Sequence, residues 1–568
     1  MSVQPVPVAS GAPTTAQPVP ARAESLLHLP EAPPKLSPLG PGVTMGRAVV
    51  TSVEPQATDV GLRILEAGGN AVDAAVAVAF ALAVTHPSAG NIGGGGFMVL
   101  RLGDVVEAID FRENAPAALT EGAFRKMIAE GAETPVSVGV PGTVAGLYLA
   151  HQRHGRLPWP QLVEGALRLA RDGAVLGRRQ HQVIGWSEPK LQANRAARRL
   201  FLPGGLPGAG ARLLQPGLAT ALERIQKDGP AGFYAGETAE DLLTSLGPTG
   251  LITAADLSSY RAVVREPLFV DFAGVRVVTM PPPSGGGLAL VSMLTMLQSL
   301  RVGETAPGSA ARYHLLAEVS RRAQIERQLR IAPPGVESPE VEAAERERWS
   351  RPDTWLGSHP VDPEKKTPSS VLDARFAQIV AEAEHTTHLS VVDAEGGVVS
   401  CTVTLSASFG SGIVTKKTGI VLNNSVASFA TVGKNVPRPG VRTISSMAPT
   451  LVFVGKSDVL VLGSPGGDTI PGTIAQLILG LVSDRQTLAE VVQAPRIFQP
   501  FAPDELSFER SHPLPQAIIK ELDRRGHRVR ANRTSIGAAN IAAYFGGRAG
   551  GVHDEREGGE ARALEAPE

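Results

Sequence analysis

A chain of 568 residues, 43% hydrophobic and 19% charged, holds material for roughly two to four domains or one large α/β unit with a sizeable core. Its formal net charge of −1 gives no electrostatic case for nucleic acid or for an anionic membrane as a partner. A single cysteine, Cys401, excludes an internal disulfide and a thiolate metal cluster, and the 12 histidines show no HExxH-like spacing, so no metal and no cofactor is expected.

In chain order, residues 1–40 are rich in Pro, Ala, Ser and Thr and carry no signal-peptide pattern; they read as a disordered leader. The stretch from Ala57 to Gly103 alternates helix, Gly turn, helix, Gly-rich loop and strand. Gly68-Gly69 ends the first helix, and Asn70 or Asp73 caps the second. The apolar run "AAVAVAFALAV" at 74–84 is too short to span a bilayer and reads as a buried helix. In "NIGGGGFMVL" the glycines precede a strand and no Gly-Lys-Ser/Thr follows, so close backbone packing is expected there rather than a phosphate loop.

From 140 to about 330 the apolar spacing is mostly helical, interrupted by a strand, a Pro turn and a Gly-rich loop in "VDFAGVRVVTMPPPSGGGLAL". The basic run "RRAQIERQLR" reads as a solvated helix face, and residues 333–370, rich in Pro, Glu and Arg, as an exposed, mobile segment. After Thr386 short alternating strands take over, broken by "EGG", "FGSG" and "SPGG". Cys401, among Val399, Val403 and Leu405, reads as core.

The stretch "EHTTHLSVVDAEGGVVSCTVT" is a hairpin pattern with its turn near Glu395-Gly396. A turn centred there sets Thr386 opposite Thr404, His388 opposite Thr402 and Ser390 opposite Ser400, a polar face that by itself reads as solvent-exposed. A catalytic threonine needs a base, and Thr386 has none in the local sequence. Cleavage of the His385–Thr386 bond would supply one, because a free α-amine titrates at roughly 7.7–8.0, near neutrality.

Several motifs in one order carry a resemblance: "GLRILEAGGNAVDAAVA", "GNIGGGGFM", "DFRENAP", "VGVPGTVAGL", "GLITAADLSSYRAV", "MPPPSGGG", "TTHLSVVD", "GIVLNN", "SSMAPT" and "GSPGG". The chain resembles the γ-glutamyltransferases (glutathione hydrolases), N-terminal nucleophile hydrolases, from about Gly46 to Ala549. The resemblance implies a four-layer αββα sandwich. It also implies self-cleavage into a large subunit, 41–385 after the leader, and a small subunit, 386–568, which stay associated. Thr386 would be the nucleophile and Thr404 its hydrogen-bond partner, with the Gly466 and Gly467 amides holding the oxyanion. Arg112 would grip the substrate carboxylate, with Ser445 and Ser446 lining the same pocket.

Three positions depart from the family pattern. Ser406 stands where Asn is common, Ser425 where an acidic or amide residue is common, and Ser428 where an aspartate binds the substrate ammonium. The span from Phe429 to Ser445 is also shorter than in members with a lid.

The expected activity is cleavage of γ-glutamyl amides, glutathione-like, through an acyl-Thr386 intermediate, with transfer to water or an amine. The alternatives are an acylase for a carboxylate-bearing acyl donor without the α-ammonium, and a non-catalytic scaffold. The expected partners are a small-molecule amide and the two subunits of one precursor, with no nucleic acid and no membrane. The N-terminus by default suggests the cytoplasm, while the resemblance suggests the periplasm or secretion.

Overall fold

The computed structural model describes residues 33–349, 351, 353–357, 359–375, 385–532 and 534–565. Its frame is a pair of seven-stranded sheets packed face to face. One runs, in spatial order, Glu560–Leu564, Ala48–Ser52, His385–Val392, Val398–Ser406, Gly95–Leu102, Val105–Phe111 and Val263–Arg265. The other runs Thr44–Gly46, Arg548–Val552, Ile541–Phe545, Asp458–Leu462, Thr450–Val454, Val275–Thr279 and Leu268–Phe272. All the pairings in both sheets are antiparallel. Each sheet takes strands from both sides of the His385–Thr386 bond.

Helices cover both outer faces, which completes the αββα sandwich. On the first sheet lies Ala71–Thr85, started by a capping box of Asn70 and Asp73 and buried along its whole length. It is apolar all round because Pro55–Glu66 and Trp159–Asp172 pack over it in turn. On the second sheet lie Gly285–Ser299 and Ile470–Ile478, with Ala310–Ile325 outside them. The glycines of "PPPSGGG" thus form the first helical turn, capped by Ser284, and not a loop.

Side-chain alternation on the 385–406 hairpin decides the interior. Leu389, Val391, Val399, Cys401 and Val403 face the helices. His388, Ser390, Ser400 and Thr402 face the other sheet and are fully buried, so the polar face is an internal layer and not the solvated surface expected from its composition. Each of its groups is matched. His388 Nδ1 pairs with Thr402 Oγ1 at 2.9 Å and its Nε2 with Ser390 Oγ at 3.1 Å. Ser390 donates to Asn540 O and Ser400 to Leu462 O, tying the two sheets together. Burial holds His388 neutral, with its pKa pushed down to about 3.

Two other expectations change. Arg321, Arg322 and Arg327 of the basic run are buried: Glu318, one turn back on the helix, pairs with Arg321 and Arg322 inside the protein, and Asp468 pairs with Arg327. The 333–370 segment contains the helices Pro339–Trp349 and Asp353–Leu356, and Trp349 and Trp355 join the main core. Of the leader, residues 1–32 lie outside the described residues; Leu36 and Leu39 pack into the core, and Leu488 N–H donates to Pro38 O. Among the described residues no helix is long and apolar enough to cross a membrane.

Candidate active site

The hairpin pairs Thr386 with Thr404, as the turn position required, and the register shifts between His385 and Thr386. Thr404 Oγ1 donates to His385 O at 2.8 Å and accepts from Ser406 N–H at 2.9 Å. Its single proton is thereby used, so at the 3.3 Å Thr386–Thr404 contact the Thr386 hydroxyl is the donor. The arrangement points the carbonyl of His385 and the hydroxyl of Thr386 at one shared group. Thr386 itself is 7% exposed. Burial, with Arg179 and Lys190 adding to it, pushes His385 down to about 4, so that side chain is neutral at pH 7. A hollow of about 320 Å³ opens beside His385, lined by Trp186, Lys190 and Ser408 among others.

Across the sheet from Thr404 comes Gly95, and the next strand ends at Phe111, so Arg112 arrives on the same row. No side chain fits at Gly94 or Gly96, because the carbonyls of Thr404 and Thr402 close over them; at Gly95 the Glu113 carboxylate takes the space. Asp110 accepts from Arg112 N–H, and Tyr260 OH donates to Arg112 O at 2.8 Å, which fixes the backbone there. The Arg112 side chain is fully buried. Nη1 meets Glu113 Oε2 at 3.0 Å and Nη2 meets Ser428 Oγ at 3.3 Å. Ser428 Oγ lies 3.4 Å from Ser406 Oγ. One polar chain therefore runs from Arg112 through Ser428 and Ser406 to Thr404 and Thr386.

Arg112 Nε and Glu113 Oε1 are buried with no hydrogen-bond partner among the described residues. Burial raises the Glu113 pKa, opposed by Arg112. Ser425 is not part of the chain: its hydroxyl turns to Asn423 Oδ1 at 2.6 Å.

The turn Gly463–Gly467 leaves the Asp458–Leu462 strand and lays Gly463 against the His388 ring, two residues from Thr386. Gly466 has φ 125° and Gly467 φ 53°, values that side chains resist. Among the described residues neither N–H donates to a protein acceptor. Thr469 Oγ1 holds the turn by donating to Gly466 O at 2.8 Å.

Ser446 Oγ donates to Asp468 Oδ1 at 3.3 Å, and Asp468 pairs with buried Arg327. The Ser445 hydroxyl accepts from Met447 N–H. Asn435 joins the two halves of the site: its amide donates to Ser428 O and its carbonyl accepts from Ile444 N–H. Glu113 and Asp468 are the charged groups the sequence analysis did not single out. Each directly adjoins a motif residue, Arg112 or Gly467, and that adjacency was the available signal.

A sequence model described as Gamma-glutamyltranspeptidase matches residues 57–564. The chain belongs to the γ-glutamyltranspeptidase family. It is a self-processing hydrolase of the N-terminal nucleophile class. Among family relatives, the glutathione hydrolase proenzyme of Escherichia coli (strain K12) is 35% identical over 532 residues, 90% of each chain. The acylase ACY 1 proenzyme of Pseudomonas sp. (strain V22) is 32% identical over 521 residues, 88% of this chain and 90% of that one. The crystal structure of a cephalosporin acylase from Bacillus halodurans superposes with a TM-score of 0.79 at 23% identity, covering 95% of this chain and 99% of that one, a likeness of fold. In this chain the first sheet brings Thr386, Thr404, Gly95 and the end of the Arg112 strand onto one row, and the turn after Leu462 lays Gly463 against His388 on the same hairpin.

Proposed function

We propose that this protein cuts itself between His385 and Thr386 and then hydrolyses or transfers the acyl group of γ-glutamyl amides through an acyl-Thr386 ester. The observation that carries this reading is the unbroken polar chain from Arg112 through Ser428, Ser406 and Thr404 to Thr386. It couples a carboxylate-binding guanidinium to a hydroxyl that lacks a side-chain base.

In the precursor the Thr386 hydroxyl attacks the His385 carbonyl, whose oxygen Thr404 already holds. The C–N bond breaks, the acyl group passes to oxygen, and water hydrolyses that ester. The two fragments stay together because each supplies strands to both sheets. The freed α-amine of Thr386 then serves as the base for its own hydroxyl.

In turnover the hydroxyl attacks the amide carbonyl of the substrate. The Gly466 and Gly467 N–H groups receive the oxyanion, and their left-handed backbone keeps side chains out of the way. The ammonium of Thr386 returns its proton to the leaving amine, which departs through the hollow beside Trp186. Arg112 holds the acyl donor's carboxylate, a task for which a guanidinium fork is suited. Water or an amine completes the reaction by attacking acyl-Thr386.

A second reading, an acyl donor with the carboxylate but no α-amine, is favoured by one observation: Ser428 and Ser406 present neutral hydroxyls beside Arg112. Against it stands Glu113, a carboxylate already at Arg112. Release of p-nitroaniline from γ-glutamyl-p-nitroanilide and from glutaryl-p-nitroanilide tests both. Turnover of neither by the cleaved protein would refute the proposal.

A further inference from the structure

A cavity of about 660 Å³ is lined by none of the active-site residues named above. Its size suits a small organic ligand. One wall is the helix Arg195–Phe201 and the other is the hairpin closed by the Val414–Val421 bridge. The floor is apolar: Leu176, Leu213 and Val414 are buried there, and Leu214, 58% exposed, stands at the edge.

The charged side chains on the lining are all cationic, namely Arg199, Arg212, Lys416 and Lys417. Among the described residues none of the four is in an ion pair. Arg199 donates to Lys416 O, Arg212 to Gly173 O and Lys416 to Thr244 O, so three of them are satisfied by backbone carbonyls alone. The wall is built in advance, because buried Asp241 accepts from Lys417 N–H, Thr418 N–H and the Thr418 hydroxyl and fixes the hairpin tip.

Gathering like charges around an apolar hollow costs stability unless an anion completes the site. We propose that this cavity binds a single-chain amphiphilic carboxylate, its apolar tail on Leu213 and Val414 and its carboxylate among Arg199, Arg212 and Lys416. The site is independent of the reaction at Thr386 and of which acyl donor that reaction takes.

Titration calorimetry of the full protein with monomeric dodecanoate tests this, with butyrate and dodecyl maltoside as the headgroup-only and tail-only controls. The expected result is one dodecanoate per chain, bound at least tenfold more tightly than either control. The exposed double substitution Arg212→Glu/Lys416→Glu should weaken dodecanoate at least tenfold and create binding of one dodecyltrimethylammonium per chain with the circular dichroism of the natural protein retained, which separates the gain from the multiple, non-specific uptake of a misfolded chain. The proposal is overturned if dodecanoate does not bind. It is equally overturned if dodecyl maltoside binds as tightly, if the double variant binds dodecanoate unchanged, or if only phosphatidylglycerol vesicles bind while monomeric dodecanoate does not.

Discussion

Replacing Ser428 by aspartate puts a carboxylate where the structure now has a hydroxyl 3.3 Å from Arg112 Nη2 and 3.4 Å from Ser406 Oγ. In the natural protein Arg112 and Glu113 sum to zero charge. A γ-glutamyl donor brings a zwitterion to that pair, whereas a glutaryl donor brings one uncompensated negative charge. With Asp at 428 the ammonium gains a partner and the glutaryl carboxylate gains a repulsive neighbour. Two unit charges 4 Å apart at an effective dielectric of 20 interact by about 4 kcal/mol, an upper bound here. A hydrogen bond to a charged group contributes about 1.5–3 kcal/mol net, or about ten- to a hundredfold in affinity. Because Arg112 will draw the new carboxylate toward itself, the lower end applies. Ser428→Asp should therefore raise the ratio of kcat/KM for γ-glutamyl-p-nitroanilide over glutaryl-p-nitroanilide by about tenfold. The shared leaving group removes chromophore effects from that ratio. A ratio that stays within twofold, or moves toward the glutaryl donor, refutes the placement of the ammonium beside Ser428. If the natural protein already favours γ-glutamyl strongly and Glu113→Gln abolishes that preference, Glu113 is the ammonium's partner instead.

Thr386→Ala should stay a single full-length chain on a denaturing gel, while the natural protein should yield fragments 1–385 and 386–568; a split Thr386→Ala chain would remove Thr386 from the processing step. Thr404→Val loses the donor to His385 O and the acceptor for Thr386, so self-cleavage followed over time should slow by about tenfold, the equivalent of one hydrogen bond. Arg112→Lys keeps a positive charge beside buried Glu113 but loses the fork, so KM should rise by about tenfold with self-cleavage unchanged; an unaltered KM for every active donor would take Arg112 out of the site. His388 titrates at about 3 in the native state because of its burial, below its ordinary value in the unfolded chain, so the unfolded state binds the extra proton as pH falls. Stability should be level above pH 6.5 and decline from there toward pH 3, by up to about 1.4 kcal/mol per pH unit from this group. Urea midpoints across that range check it, and a His388→Gln variant with the same slope would contradict the assignment.

Much of this architecture is local and so could be seen in the chain itself. Asn70 and Asp73 form the capping box because both partners lie within one helical turn. The opposition of Thr386 and Thr404 follows from a turn position and a period of two, and the observed register agrees. The glycines ahead of "FMVL" pack against backbone, as their place before a strand suggested. Environment is different, because it is set by what arrives from far along the chain. The Thr- and Ser-rich face of the hairpin is internal only because a second sheet closes over it, with Ser390 bonded to Asn540 O and Ser400 to Leu462 O. The basic run at Arg321 and Arg322 is buried because Glu318 accompanies it inward, and periodicity cannot distinguish that from a solvated face. Arg112 likewise reads the same in sequence whether it is exposed or enclosed. Only the folded chain brings Glu113, Ser428 and Ser406 around it, from segments more than 290 positions apart in the case of the serines. Charge complementarity at a buried site is a sum over such distant neighbours, so the motifs named the groups while the tertiary contacts decided their electrostatics.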